Sequence, residues 1–284
     1  MKRSLLAVSV LALTASLGAP KAARACEECR MRKAGTYLGQ FTLLGNGTVR
    51  TWVKLDKQRK PESLGITFSE SALTGLSETG MGPKEMPMVF YTLALPKEAK
   101  AAGIDHVGLD WAPKGHIPNG VYNVPHFDVH FYMMPPEQLA QITATGKDLA
   151  RCAKKPLAKY FPEGYVLPPG TEVPRMGAHA VDAQSPELNG KPFTHTFLYG
   201  YYDGSLNFVE PMITKAFLET KPNVVAPVKL PKAYARSGYY PTRYRIAHDP
   251  VRQEYTVALE GLTFRPGDAK TAPKVGAKKL QVRR

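Results

Sequence analysis

Polar and apolar residues alternate along much of the chain, and that alternation predicts strands. TVRTWVKL (Thr48 to Leu55) and SLGITFSE (Ser63 to Glu70) flank the charged loop DKQRKPE and read as a hairpin. MVFYTLAL (Met88 to Leu95) and HVGLDWAP (His106 to Pro113) read as further extended segments. Between them Pro96 opens a short helical piece, KEAKAAG, that Gly103 closes. NVPHFDVHFYMM predicts a strand from Pro125 to Met134. PPEQLAQITATG then predicts a helix, because proline suits a first turn and glycine an end. Residues 152–192 are rich in Pro and Gly and lack periodicity, which predicts a long ordered loop system of the kind that often carries function.

Two hairpins are signalled more strongly. PFTHTFLYGYY and SLNFVEPM are separated by Asp203-Gly204, and a two-residue loop there pairs Tyr202 with Ser205. TRYRIAH and RQEYTVALEG meet through Asp249-Pro250. There is no internal repeat. Hairpin units with few long helices predict a mainly β chain, an antiparallel β sandwich or barrel with a few short helices. Residues 26–265 form either one β-rich domain or two subdomains meeting near 150–192, and the basic tail 266–284 is expected to be disordered.

The first 25 residues change the setting. Lys2 and Arg3 precede an apolar run from Leu5 to Leu17, and Ala23-Arg24-Ala25 supplies an A-x-A cleavage signal. This is the pattern of a secretory leader, too short for a good membrane span. Cleavage after Ala25 removes four basic residues, and the net charge falls from +14 to +10. The remaining excess sits in scattered clusters such as KLDKQRK and KVGAKKLQVRR, without a nucleic-acid motif, so the expectation is an exported chain with no nucleic-acid partner and no transmembrane segment. An oxidising compartment favours a disulfide. The expected bridge joins Cys152 to either Cys26 or Cys29. The CEEC pair lacks the histidine of a c-type haem site and lies at the terminus, which weakens a redox role.

Candidate chemistry concentrates in HFDVHFY. Side chains alternate across a strand, so His126, Asp128 and His130 share one face while Phe127, Val129 and Phe131 take the other. Four residues of strand span ~13 Å, so His126 and His130 do not easily reach one ion. Neighbouring pairs, Asp128 with His130 or His126 with Asp128, are favoured unless a bulge draws all three together. Asp128 can alternatively orient a histidine. Counting back from the Asp203-Gly204 turn pairs Phe197 with Glu210 and His195 with Met212, which puts His195 and Glu210 on one face as diagonal neighbours. His179, in VPRMGAHAVD, is a further ligand candidate. His116, in PKGHIPNG, is another loop histidine, read as an ordinary hydrogen-bonded residue ahead of a ligand, and His106 and His248 read as hydrogen-bonded structural ones.

The expected metal set is therefore His126, Asp128, His130, His179, His195 and Glu210, with Glu210 the candidate general base. Nitrogen and oxygen donors of this kind suit Zn, Mn, Fe or Cu. The competing expectation is a hydrogen-bonded polar network without metal, in an oligomeric or small-molecule-binding envelope module. No phosphate-binding glycine loop and no G-x-S-x-G elbow is present.

VYNVPHFDVHFYMM, VPRMGAHAVD, PFTHTFLYGYYDGSLNFVEPMIT and GYYPTRYRIAHD resemble successive blocks of an uncharacterised bacterial family, DUF5602 or TTHB210-like. The resemblance spans residues 35–265 and implies an exported, β-rich, homo-oligomeric product; it brings no assigned catalytic residue. A partial likeness to cupin metal sites is also visible, in an H-x-D-x-H block followed by PRMGAH, but no glutamate stands at the usual cupin offset.

Overall fold

The computed structural model describes residues 34–80 and 88–268. The chain runs through strands β1 (Gly35–Leu44), β2 (Gly47–Leu55), β3 (Pro61–Ser69), β4 (Val89–Ala94), β5 (His106–Ala112) and β6 (His126–Tyr132). Then come β7 (Tyr165–Val166), β8 (Glu172–Val173), β9 (Gly177–Asp182), β10 (His195–Tyr202) and β11 (Ser205–Thr214). The last strands are β12 (Asn223–Pro227), β13 (Gly238–Tyr240), β14 (Arg243–Asp249), β15 (Glu254–Glu260) and β16 (Thr263–Arg265). Every strand ladder is antiparallel. One sheet has the order β1-β2-β3-β15-β14-β12; the other has β4-β5-β6-β11-β10-β9-β7, with β8 also on β9. β13 and β16 form a separate pair.

The main core lies where both sheets contribute apolar faces. Val53, Leu64, Ile66, Val257 and Leu259 come from the first sheet, and Leu109, Phe127, Val129, Phe131, Tyr199 and Val209 from the second. This is a sandwich-like arrangement, and neither sheet closes into a barrel. Alternation does the sorting. β6 sends Phe127, Val129 and Phe131 into the core and turns His126, Asp128 and His130 to the opposite face, yet all seven of its residues are buried. Two smaller apolar clusters explain why that outer face is dry. Leu139, Ile142, Cys152, Met176 and Phe208 belong to one, and Tyr122, Phe193, Leu198 and Met212 to the other.

The residues between 113 and 194 supply most of this cover. The helix expected from Pro135 to Gly146 stops early, as α1 (Pro136–Leu139). Asp148 explains the break: its carboxylate accepts from the main-chain N–H of Thr143 and Ala144, which fixes a turn before α2 (Gly146–Cys152) begins. Residues 152–192 are not wholly loop, since they contain β7, β8 and β9. Cys152 is a free, buried thiol; its expected partners Cys26 and Cys29, like the leader and the last 16 residues of the tail, lie outside the described residues. No helix among the described residues is long and apolar enough to cross a membrane.

Candidate metal centre

The site is a polar row on the outer face of the larger sheet. Asp110 on β5 pairs with Asp128 on β6, and Asp128 pairs in turn with Met212 on β11. The position of Glu210 depends on one irregularity. Tyr202 pairs with Ser205 as the turn predicts, but the register shifts after Tyr201–Leu206, so that Gly200 faces Phe208 and Asn207 is left unpaired. Glu210 therefore pairs with Leu198, not Phe197, and His195 with Ile213, not Met212. The shift corrects the expected diagonal. Glu210 turns to the outer face beside His130, while His195 turns the other way, where its Nδ1 lies 2.8 Å from the Tyr244 hydroxyl and its ring packs on Phe217. Of the six expected ligands, His195 is the one the structure does not bring to the row.

The bulge has a packing cause. A Cβ on Gly200 would lie 2.0 Å from Cε1 of Phe208, so only glycine lets that ring lie across β10. The Phe208 ring then walls both His130, at 4.9 Å between centroids, and His179, at 5.1 Å. His179 pairs with Gly200 from β9 and reaches past it to Glu210. Asn207, released from the ladder, donates from Nδ2 to the Met176 carbonyl and ties down the covering segment. Gly200→Ala is expected to displace Phe208, cost ~1–3 kcal/mol by overpacking and weaken any ligand held by His179. Denaturation midpoint and ligand affinity, measured together, check this.

Five of the expected residues and one other, His116, fall into two trios. In the first, His130 Nε2 lies 3.4 Å from Glu210 Oε1, and His179 Nε2 lies 3.8 Å from Glu210 Oε2. In the second, His126 Nε2 lies 3.1 Å from Asp128 Oδ1, and His116 Nε2 lies 3.4 Å from Asp128 Oδ2. Within each trio one donor atom per residue lies within 4.8 Å of the others, so each could hold a metal ion. The other ring nitrogen of each histidine also faces an acceptor. Nδ1 of His116, His126 and His179 faces the carbonyl of Ile117, Val124 and Thr171 at 2.7, 2.7 and 2.9 Å. Nδ1 of His130 faces Asp110 Oδ2 at 3.3 Å.

Charge in the row follows from burial and neighbours. Burial opposes protonation of His116, but the adjacent Asp128 carboxylate outweighs it and holds the ring up to about 9. Burial also opposes charge on His130, and Glu210 and Asp110 carry it up to about 9. Burial pushes Glu210 up to about 8 against the pull of His130, and pushes His179 down to about 4 with help from His130. Asp128, though buried, sits well below the usual carboxylate range because His126 and His116 surround it. Burial raises Asp110.

Asp110 and His116 are the residues that sequence reasoning left out of the set. For Asp110 the signal was available: in HVGLDWA it alternates with Val107, Leu109 and Trp111, all in the core. For His116 no local pattern announces that its loop folds back onto β6.

The comparisons with known proteins add one partial family match and no activity. No curated protein and no solved structure matches the chain. A family model described as TTHB210-like, hypothetical protein TTHB210, matches residues 56–111, a stretch that contains β3, β4, β5 up to Trp111, and Asp110, but none of the six residues of the two trios. The match is consistent with a TTHB210-like uncharacterised family.

Proposed function

We propose that the chain is an exported metal-binding protein whose primary centre is His130, His179 and Glu210, with Asp110 orienting His130. One observation carries the reading: two histidines turn Nε2 toward the two oxygens of one buried carboxylate. The Thr171 carbonyl can only accept, so Nδ1 of His179 carries the hydrogen and Nε2 of the neutral ring is a lone pair. Asp110 stands at Nδ1 of His130 as carboxylates do behind metal-ligating histidines. Lone pairs turned toward carboxylate oxygens in a dry site repel unless a cation lies between them.

That cation is a proton or a metal ion, and spacing favours the metal. Ligands ~2.0–2.2 Å from a tetrahedral ion stand ~3.3–3.6 Å apart, whereas N–H···O hydrogen bonds centre on ~2.9 Å. The separations here are 3.4 Å, inside the first range, and 3.8 Å, slightly beyond it and far from the second. Among the described residues neither nitrogen of His130 nor Oε2 of Glu210 makes a hydrogen bond, although all three are buried. Two nitrogens and one oxygen suit Zn, Mn, Fe or Cu. With both oxygens facing histidines, Glu210 serves better as a ligand than as a general base. Three protein ligands leave one position of a four-coordinate ion for water. Entry is past His179, whose side chain is 12% exposed against 2% or less for the other two. The leader pattern of residues 1–25 supports the export half of the proposal.

Elemental analysis of protein purified without added metal tests the reading, alongside His130→Ala and His179→Ala variants whose folding is checked by circular dichroism. One equivalent of metal at this centre, lost in both folded variants, is the expected result. No metal in the wild type, even after reloading, would leave a proton-held network in an oligomeric or ligand-binding module.

A further inference from the structure

We propose that His116, His126 and Asp128 form a second, independent divalent-cation site that clamps the loop between β5 and β6 onto the sheet. The proposal does not need the first centre. It rests on a separate trio, in which two ligands come from the start of β6 and the third from the loop.

The loop is folded so as to deliver His116. Gly115, with φ +67°, sits where a Cβ would lie 2.0 Å from the Tyr122 carbonyl oxygen, so the close return of the chain requires glycine. The His116 N–H donates to that same carbonyl, and the Gly115 N–H to the Ala112 carbonyl. Aromatic walls complete the setting. Tyr122 packs edge-on against His116, and Phe193 against both His126 and Tyr122. The Tyr122 hydroxyl is held by Glu187, 3.3 Å away and also buried.

Both imidazoles are locked in the ligand orientation. The carbonyls of Ile117 and Val124 take the Nδ1 hydrogens, so each ring, when neutral, turns an Nε2 lone pair toward Asp128. His126 is 0% exposed and Asp128 1%, and neither His126 Nε2 nor Asp128 Oδ1 makes a hydrogen bond among the described residues. Buried polar atoms of that kind need an explanation, and an ion held between them is one of the few available. The 3.1 and 3.4 Å separations match neighbouring donors around a four- to six-coordinate ion, at ~2.9–3.6 Å. Two imidazoles with one carboxylate select a transition ion such as zinc over Mg or Ca, which prefer all-oxygen shells.

Without the ion, His116 is held by its own loop, by one carboxylate and by edge-on packing against the His126 ring. With it, the loop is cross-linked to β6. The exposed Lys114 beside Gly115 gives a direct reading of that link, because trypsin cuts after lysine when the loop opens.

Zinc stoichiometry, by competition with a chromophoric chelator, and tryptic cleavage after Lys114 test the proposal on the wild type, His116→Gln, His126→Ala and His130→Ala. The expected result is two zinc equivalents in the wild type and one in each variant. Zinc at 100 times its Kd should slow cleavage about 100-fold in the wild type and in His130→Ala, and not in His116→Gln. His116 lies in the loop, so that variant keeps the test open if His126→Ala fails to fold. Two equivalents retained in His116→Gln, or equal protection there, would overturn the second site. A single wild-type equivalent lost only in His130→Ala would overturn it and leave the first centre standing; one lost only in His116→Gln and His126→Ala would do the reverse. No zinc in the wild type would overturn both.

Discussion

Glu210→Gln is expected to lose the metal of the first centre while keeping its fold. Glutamine matches glutamate in shape and removes only the charge. Burial pushes the Glu210 carboxyl up, toward the neutral acid that glutamine copies, against the pull of His130. Metal-free stability at pH 7 should therefore change by less than about 1 kcal/mol. Metal affinity should fall by at least ~100-fold, since loss of an orienting group behind a ligand already costs 10- to 100-fold and here the anionic ligand itself goes. The second trio shares no residue with Glu210 and should be unaffected. Calorimetric titration and thermal melts of the two metal-free proteins check this. Affinity within a few-fold of wild type would remove Glu210 from the ligand set. A variant that unfolds at pH 7 would instead make the residue a structural keystone.

The alternation in HFDVHFY was enough to assign each residue of β6 to its face, because period 2 is a property of the strand itself. The Asp203-Gly204 turn was equally legible, because type and length of a tight turn follow from two residues. The bulge three residues later was not. It depends on Phe208 lying over Gly200 and on Asn207 reaching the Met176 carbonyl, 31 residues away. A slip of one residue exchanges faces. That single contact pattern separates His195 from the site and brings Glu210 into it. For Asp110 the alternation of HVGLDWA gave the face, but its place in the site depends on a neighbour across the ladder, Asp128, that the strand itself does not name. The splitting of the histidines into two trios was foreshadowed by the ~13 Å span of four strand residues, but the third member of each trio comes from chain that the strand pattern does not reach.

Metal affinity is expected to rise with pH to about 9, well beyond the ~6.5 at which isolated histidines become neutral. His116 and His130, both held up to about 9, keep their protons at pH 7 in the metal-free protein. A metal ion must displace them, so binding should release protons and strengthen about tenfold per pH unit for each proton displaced. Stability of the metal-free protein runs the other way. A histidine raised from 6.5 to about 9 on folding stabilises fully below pH 6.5 and loses that contribution, on the order of 3 kcal/mol, as pH climbs through 9. Glu210, raised to about 8, has the same sign: its contribution is present at low pH and goes as pH rises through 8. His179, lowered to about 4, has the opposite sign; its neutral state stabilises above pH 6.5 and loses that effect as pH falls through 4. The metal-free protein should thus melt at progressively lower temperature from pH 6.5 to 9, while the metal-loaded protein holds, because the ion replaces the departing protons between the same atoms. The gap between the two melting temperatures is the quantity to follow. A gap that stays constant over this range, together with binding enthalpies that do not vary between buffers of different ionisation enthalpy, would mean that no protons are displaced and that the histidines are not the ligands.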